Sequence, residues 1–181
     1  MTSIRCALRF SGVAASVLAW IVIAECVRRN PWFDLFCDAF SDLGAKGAVD
    51  PWLYNRGLML TAALLGVFAV HMVLSSEGKL EVVGGAYMSI AAVFLALIGA
   101  FPSGTRPHAF VSSWFFIQAF LAILAYGLGR WRRDRVSSLG SIAIFILAVV
   151  GLAVHWPSVA TIEVYEIALL NAATVLYAFR T

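Results

Sequence analysis

The chain has 181 residues, of which 62% are hydrophobic and only 13% charged, and its formal net charge at pH 7 is +3. In soluble domains about a quarter of all residues are charged. The composition therefore excludes an ordinary soluble globular protein and indicates a protein that crosses a membrane several times.

Six segments are each apolar enough, and close enough to the roughly 20 residues that a helical span requires, to cross a membrane. They cover approximately residues 8–27, 52–74, 82–101, 108–128, 138–155 and 161–179. Helix-breaking residues such as Gly78, Pro102 and Pro157 stand in the turns between them. We therefore predict an all-α fold, a six-helix transmembrane bundle that forms a single domain over residues 1–181. The first segment lacks a small-x-small cleavage site, so we expect a retained signal-anchor rather than a cleaved signal peptide.

Only the connection after the first span is long, and its sequence has the features of a short helix. Asn30 followed by Pro31 is typical of a helix start, and Gly44 is typical of a helix end. The apolar residues between them share one face at helical spacing. We predict an amphipathic helix over residues 31–43 that lies flat at the membrane interface.

The polar side of this predicted helix carries three aspartates, each one turn from the next. They are Asp34, Asp38 and Asp42. In one interpretation all three form a solvated face, and in the other at least one turns toward the bundle. Asp42 is the best candidate to turn inward because it lies at the end nearest the second span.

Basic residues in the short loops predict the orientation in the membrane. Four arginines crowd the fourth loop, at positions 130, 132, 133 and 135. By the positive-inside rule this loop is cytoplasmic, and with six spans both termini are cytoplasmic as well. We expect a multi-pass protein of the cell membrane. Cys26 and Cys37 would then lie on the outer side, either as a disulfide or as two free thiols.

Ionisable and polar residues cluster near the outer ends of the predicted spans, although they come from distant parts of the chain. Such residues in a membrane segment are costly and favour a functional interpretation. Together they form a predicted layer of eight residues: Asp42, Asn55, Arg56, Arg106, His108, His155, Glu163 and Glu166. The alternative is a set of salt bridges and head-group contacts at an ordinary membrane interface.

Several chemistries fit this layer. A histidine oriented by a carboxylate can act as a general base for a serine nucleophile, here Ser41 or Ser112, and Ser112 lies one turn below His108. The guanidinium groups of Arg56 and Arg106 would suit the phosphate of a lipid head group. Histidines with carboxylates also suit a metal ion, but no spacing matches a known metal motif and no cofactor can be named. At mid-membrane depth, Gln118 and Asn171 are expected to form hydrogen bonds between helices.

Short motifs resemble an uncharacterised family of prokaryotic membrane proteins, domain of unknown function 998. They are the runs Phe40-Ser41-Asp42-Leu43-Gly44 and Asn55-Arg56-Gly57-Leu58, with Pro51 between them, and then Phe101-Pro102 and His108. A more distant similarity is to the eukaryotic DRAM, Frag and Sfk group, part of which is associated with lipid-anchor remodelling and phosphoinositide handling. The resemblance implies a lipid-linked role for Ser41, Asp42, Gly44, Asn55 and His108 without identifying a reaction.

The leading functional hypothesis is an outward-facing polar pocket that engages a membrane lipid or another amphiphile. The protein would then be a binding protein or a lipid-modifying acyltransferase or hydrolase, with His108 as base and Asp42 orienting it. We predict Asp42, His108 and Ser41 as catalytic residues. The predicted substrate-binding residues are Asn55, Arg56, Arg106, His155, Glu163 and Glu166. The alternatives are a non-catalytic scaffold or accessory subunit and, less favoured, a small dimeric transporter. A second copy of the chain or another membrane subunit would suit these alternatives, and we expect no nucleic-acid partner.

Overall fold

Six α-helices make up nearly the whole protein. The computed structural model describes residues 2–180, and side chains from residue 7 onward. The helices are α1 (Thr2–Arg29), α2 (Pro51–Leu74), α3 (Lys79–Ala100), α4 (His108–Gly129), α5 (Arg135–Leu152) and α6 (Val159–Arg180). Each is long and apolar enough to cross a membrane, and no strand occurs among the described residues. The predicted all-α, six-helix fold is confirmed.

The helices are arranged so that five of them surround a central space. Each helix packs against the next one along the chain, and α6 packs back against α1. Because α4 also contacts α6 directly, α5 lies on the outside of the bundle. We call the end with the α1–α2, α3–α4 and α5–α6 connections the loop-1 end. The opposite end, with the chain termini, is the terminal end.

Glycines permit the closest helix approaches. A Cβ atom added to Gly84 of α3 would lie 2.7 Å from the backbone nitrogen of Tyr126 in α4. A Cβ atom at Gly127 of α4 would overlap the side chain of Ser141 in α5. Small residues at helix contacts are the usual means by which membrane helices pack closely. These glycines bring α3, α4 and α5 close together.

Ion pairs join two connections at the terminal end. Arg133, after α4, bonds the carboxylates of both Glu77, just before α3, and Glu81, in the first turn of α3. Glu81 is only 2% exposed. Asp134 then caps α5, since it accepts hydrogen bonds from both the backbone nitrogen and the hydroxyl of Ser137. The cap explains why α5 begins at Arg135, three residues before the predicted limit.

The predicted amphipathic helix over residues 31–43 is wrong. Residues 31–39 form turns, and a 3₁₀ helix follows over Phe40–Gly44. The aspartates bind the local backbone instead: Asp38 accepts from the nitrogen of Asp34 at 2.7 Å, and Asp34 accepts from that of Phe36 at 2.8 Å. Such side-chain bonds compete with helical ones.

Contacts from the α5–α6 connection and the first turn of α6 hold this turn segment as well. The backbone nitrogen of Ala160 donates to the carbonyl of Asp38 at 2.9 Å, and the hydroxyl of Ser158 donates to the carbonyl of Leu35 at 2.6 Å. A regular helix over this segment would use these carbonyl groups for its own hydrogen bonds. Tertiary contacts therefore decide the conformation.

Asn30 does not cap a helix. Its buried side chain links the two ends of the α1–α2 connection. Its side chain is fully buried, and its amide nitrogen donates to the carbonyls of Cys26 and Val49. Its amide oxygen accepts from the backbone nitrogen of Val49 at 2.7 Å and from the indole of Trp32 at 3.0 Å. Asn30 thereby joins the end of α1 to the residues that precede α2.

Candidate functional site

A large cavity lies in the centre of the bundle. It contains about 810 Å³ of space without protein atoms, part of it continuous with the surroundings. Its lining comes from α1, α2, α3, α4, α6 and the 3₁₀ helix, and most of the lining side chains are apolar. The polar residues of the lining are Ser16, Ser41, Tyr54, Thr61, Ser112, Glu163, Asn171 and Thr174. A concave, mainly apolar site with a few polar groups is typical of a small-molecule or lipid site.

The cavity is long and follows the helix axes. On α6 it extends from Glu163 to Thr174, which is about 16 Å along a helix. On α1 it extends from Ile23 to Gly12, which is a similar length. It therefore reaches from the loop-1 end to about the middle of a bilayer whose hydrocarbon core is roughly 30 Å thick.

A carboxyl group stands at the loop-1 end of the cavity. Glu163 lies in the first turns of α6, and its Oε2 accepts a hydrogen bond from the backbone nitrogen of Phe40 at 2.8 Å. The hydroxyl groups of Ser41 and Tyr54 belong to the same end of the lining. The 3₁₀ helix thus contributes to the cavity and is held to α6 by the carboxyl group that lines it.

A second polar cluster lies deeper, between α1 and α6. The hydroxyls of Ser16 and Thr174 are 3.1 Å apart. With its amide oriented to satisfy both groups, Asn171 donates to Ser16 Oγ at 2.8 Å and accepts from the indole of Trp20 at 2.6 Å. The expectation that Asn171 bonds between helices is confirmed. Because these groups satisfy one another, the middle of the cavity can face hydrocarbon at little cost.

Beyond this cluster the space continues toward the terminal end. A smaller pocket shares Leu65, Leu170 and Thr174 with the large one and has a mainly apolar lining. It extends to Phe68 and Tyr177. The apolar lining of the large cavity is thus continued toward the terminal end.

His108 lies next to the cavity residue Ser112 and has different partners from those predicted. Its Nδ1 is 2.8 Å from the carbonyl oxygen of Phe101, so Nδ1 carries a proton, and in the neutral imidazole Nε2 has the lone pair. Nε2 lies 3.4 Å from the hydroxyl of Ser112, which lines the cavity and donates to the carbonyl of His108 at 2.9 Å. The carbonyl of Phe101 therefore orients the imidazole, a task that the sequence analysis gave to Asp42.

Asp42 instead holds the 3₁₀ helix to the α3–α4 connection. Its Oδ1 accepts from the hydroxyl of Ser103 at 2.8 Å, and its Oδ2 accepts from the backbone nitrogen of Ala39 at 3.0 Å. Two residues later, the carbonyl of Gly44 accepts from the amide of Asn55 at 3.0 Å. These hydrogen bonds of Asp42 and Gly44 hold the run Phe40–Gly44 in place, and we call them the clamp. The clamp positions Ser41 at the cavity.

The other predicted site residues do not line the cavity. Arg56, Arg106 and His155 are exposed, and the guanidinium of Arg56 lies over the ring of Trp52, 5.7 Å from its centroid. Glu166 is buried next to the cavity without being part of its lining. Among the predicted residues, the cavity brings together Ser41 and Glu163 directly, with His108 one contact away through Ser112.

Several lining residues were missed by sequence reasoning. Tyr54, Thr61, Ser16 and Thr174 are single polar groups in apolar spans. A signal was present on α6, where Glu163, Asn171 and Thr174 recur at intervals that place them on one helix face. The other three gave no signal, since lone hydroxyls in membrane helices usually bond their own backbone.

Metal and redox chemistry receive no support from the described side chains. No three His, Cys, Asp or Glu residues among them come together as metal ligands. Cys26 is buried and Cys37 is exposed, and both are free thiols. The pKa of the Cys37 thiol is raised, chiefly by the negative charge of Asp34.

Comparison with known proteins gives one family. The family described as "Protein of unknown function (DUF998)" matches residues 13–180. No curated protein and no solved structure matches the chain. The resemblance to domain of unknown function 998 is thereby confirmed, while the similarity to the DRAM, Frag and Sfk group stays a prediction.

Proposed function

Because the chain belongs to the membrane-protein family DUF998, whose function is unknown, we propose a function from the cavity itself: the protein binds a single-chain amphiphile inside the bundle. The head group sits at the loop-1 end beside Glu163. The hydrocarbon chain extends along α1 and α6 toward mid-membrane. The observation that carries this proposal is the length of the cavity combined with its gradient from polar to apolar lining.

The polarity of the lining supports this orientation of the ligand. Its one carboxyl group and the hydroxyls of Ser41 and Tyr54 lie at the loop-1 end. Deeper residues such as Leu58, Leu65 and Leu170 are apolar, and the polar groups among them bond one another. Placing a ligand head group in the deep part would cost the hydrogen bonds that it makes with water.

We also propose that the loop-1 end faces the outside of the cell and that both termini are cytoplasmic. The arginines of the α4–α5 connection support this orientation by the positive-inside rule. The ligand would then be taken from the outer leaflet of the cell membrane. A scaffold function is less favoured, because a protein that only binds partners has no need of a long internal cavity.

A photoactivatable long-chain alcohol tests whether an amphiphile enters the cavity. The purified protein in lipid nanodiscs is irradiated with the probe, and the modified residues are found by mass spectrometry. We expect modification of lining residues on α1 and α6. The variant Ala15→Phe, which places a ring in the cavity, should lower this modification several-fold, whereas Ala14→Phe, on the exposed side of the same helix, should not. Modification only of lipid-facing residues, equal in both variants, would show that the proposal is wrong.

The contact between His108 and Ser112 favours a second candidate function, hydrolysis or transfer of an acyl group. Ser112 Oγ would attack the ester carbonyl of a bound lipid while Nε2 of His108 accepts its proton. The imidazole would return that proton to the leaving alcohol, and water or an acceptor alcohol would then release the acyl group from Ser112. The hydroxyl must first turn away from the carbonyl of His108.

A serine-reactive fluorophosphonate probe distinguishes the enzyme from the binding protein. An enzyme of this kind should be labelled at Ser112, and labelling should be lost in both Ser112→Ala and His108→Ala. Ser41→Ala serves as the matched control, because it removes another hydroxyl of the same cavity. If Ser112 is not labelled in the native protein, the acyl-transfer proposal fails and amphiphile binding is unaffected.

A further inference from the structure

We infer that the cavity selects amphiphiles with a cationic amine head group. This inference rests on the proposed binding function and concerns which head group the loop-1 end of the cavity accepts. It follows from the charge of the lining, the free hydrogen-bonding capacity of Glu163 and the positions of the basic residues.

The ionisable part of the lining is acidic. Glu163 is the only Asp, Glu, Lys or Arg among the described residues that line the cavity. Two further carboxyl groups, those of Asp42 and Glu166, are near enough to interact electrostatically with it. A ligand head group at this position therefore meets the carboxyl group of Glu163, with two further acidic side chains outside the lining.

Basic side chains do not offset this charge inside the cavity. At the loop-1 end, Arg28 and Arg29 pair with Glu25, and Arg29 also pairs with Asp50. Arg56 and Arg106 are exposed, and neither contributes to the lining. The phosphate partner that sequence reasoning expected for these two arginines would therefore be bound outside the cavity and not within it.

Glu163 retains capacity for a ligand. Its Oε2 accepts from the backbone nitrogen of Phe40, and no other hydrogen bond to this carboxyl group occurs among the described residues. A half-buried carboxylate in a mainly apolar lining is stabilised by a cationic or hydrogen-bond-donating partner. An ammonium group supplies both the opposite charge and several donors, whereas an alcohol supplies one donor and no charge. The hydroxyls of Ser41 and Tyr54 can accept the remaining ammonium protons.

A negatively charged head group should be excluded for the same reason. A carboxylate or phosphate beside Glu163 would place like charges together in an environment of low dielectric constant, where repulsion is much stronger than in water. Nothing in the lining would neutralise the pair. Selection should therefore follow the charge of the head group when the hydrocarbon chain is held constant.

Competition against the photoactivatable alcohol tests this order. Unlabelled competitors share one chain length and end in an amine, an alcohol, a carboxylate or a phosphate, and their concentration in the nanodiscs is measured by partition into protein-free discs. We expect the amine to compete best and to act at an at least about tenfold lower membrane concentration than the carboxylate or phosphate. The alcohol should lie between them.

The variant Glu163→Gln assigns the selection to this side chain. Glutamine keeps an oxygen that accepts from Phe40, so the 3₁₀ helix should stay in place. We expect the amine to lose its advantage over the alcohol and the carboxylate to compete more strongly than in the native protein. Glu77→Gln, the same substitution at the exposed terminal end, should leave the order unchanged.

The outcomes separate this inference from the function on which it rests. If the alcohol probe modifies the cavity and all four competitors act equally, amphiphile binding stands and the head-group inference is wrong. The same conclusion follows if selection for the amine persists in Glu163→Gln. If the probe does not modify the cavity at all, the proposed function itself fails.

Discussion

Replacing Gly44 by alanine should open the clamp that holds the 3₁₀ helix against α2. A Cβ atom at this position would overlap Oδ1 of Asn55 and lie 2.9 Å from Cδ1 of Tyr54. The Asn55 side chain must then move, which breaks its 3.0 Å hydrogen bond to the carbonyl of Gly44. Forcing an extra methyl into a packed site costs about 1–3 kcal/mol, and the lost hydrogen bond adds about 1 kcal/mol.

We therefore expect Gly44→Ala to lower the free energy of unfolding by about 2–4 kcal/mol. The measurement is unfolding in mixed micelles with increasing denaturing detergent, followed by circular dichroism. Gly66→Ala in α2 is the matched control, because its Cβ atom would meet only Ala92 Cβ at 3.9 Å, an ordinary contact. This control should be neutral or stabilising, since alanine favours a helix over glycine.

A double-mutant cycle tests the cause. In an Asn55→Ala background the overlapped oxygen is absent, so Gly44→Ala should cost at least about 0.5 kcal/mol less than in the native protein. An equal cost in both backgrounds would refute the clash with Asn55. A Gly44→Ala protein as stable as Gly66→Ala would refute the clamp altogether. Because the clamp positions Ser41, loss of the clamp should also weaken modification by the alcohol probe.

Two further predictions concern parts of the molecule away from the cavity. Arg133→Ala should lower the free energy of unfolding by about 3 kcal/mol, because it leaves the buried carboxylate of Glu81 without its partner. Replacing the exposed residue Arg132 by alanine should change this free energy little. Equal effects of the two substitutions would contradict the structure. In a variant whose only cysteine is Cys37, alkylation should be slow at neutral pH and accelerate as the pH rises, since the thiolate reacts and the pKa of Cys37 is raised mainly by Asp34. Asp34→Asn should lower that pKa and speed alkylation at pH 7–8, and an unchanged rate would show that Asp34 does not control this thiol.

Two residues of the candidate site show how much of it could be predicted from the sequence. Glu163 was predicted because ionisable groups near span ends are costly without a role, and Ser41 was predicted as a nucleophile and from the family resemblance; both line the cavity. The pairing of His108 with Asp42 was predicted from residue type alone. In the structure the imidazole of His108 donates to the carbonyl of Phe101, and Asp42 accepts a hydrogen bond from the hydroxyl of Ser103. Choosing among such partners requires distances, which residue types do not contain.

The sequence by itself determined the six helices and the membrane environment. Insertion into a bilayer depends on the length and apolarity of each segment taken separately, and the chain satisfies both six times. Proline and glycine at the turns are likewise local signals. For this reason the number and type of the membrane-spanning elements could be predicted without any knowledge of how they pack.

Only the tertiary structure decided the conformation after α1 and the existence of the cavity. Residues 31–39 have helical spacing, yet they are held as turns by bonds of Asp34 and Asp38 to the local backbone. Bonds from Ser158 in the α5–α6 connection and from Ala160 at the start of α6 add to these. The cavity is the volume that five helices leave unfilled, so it depends on the sizes and positions of side chains far apart in the chain. The length of an apolar segment is a local property of the sequence. Which hydrogen bonds a segment forms, and which volume the helices leave unfilled, depend on the whole assembled bundle.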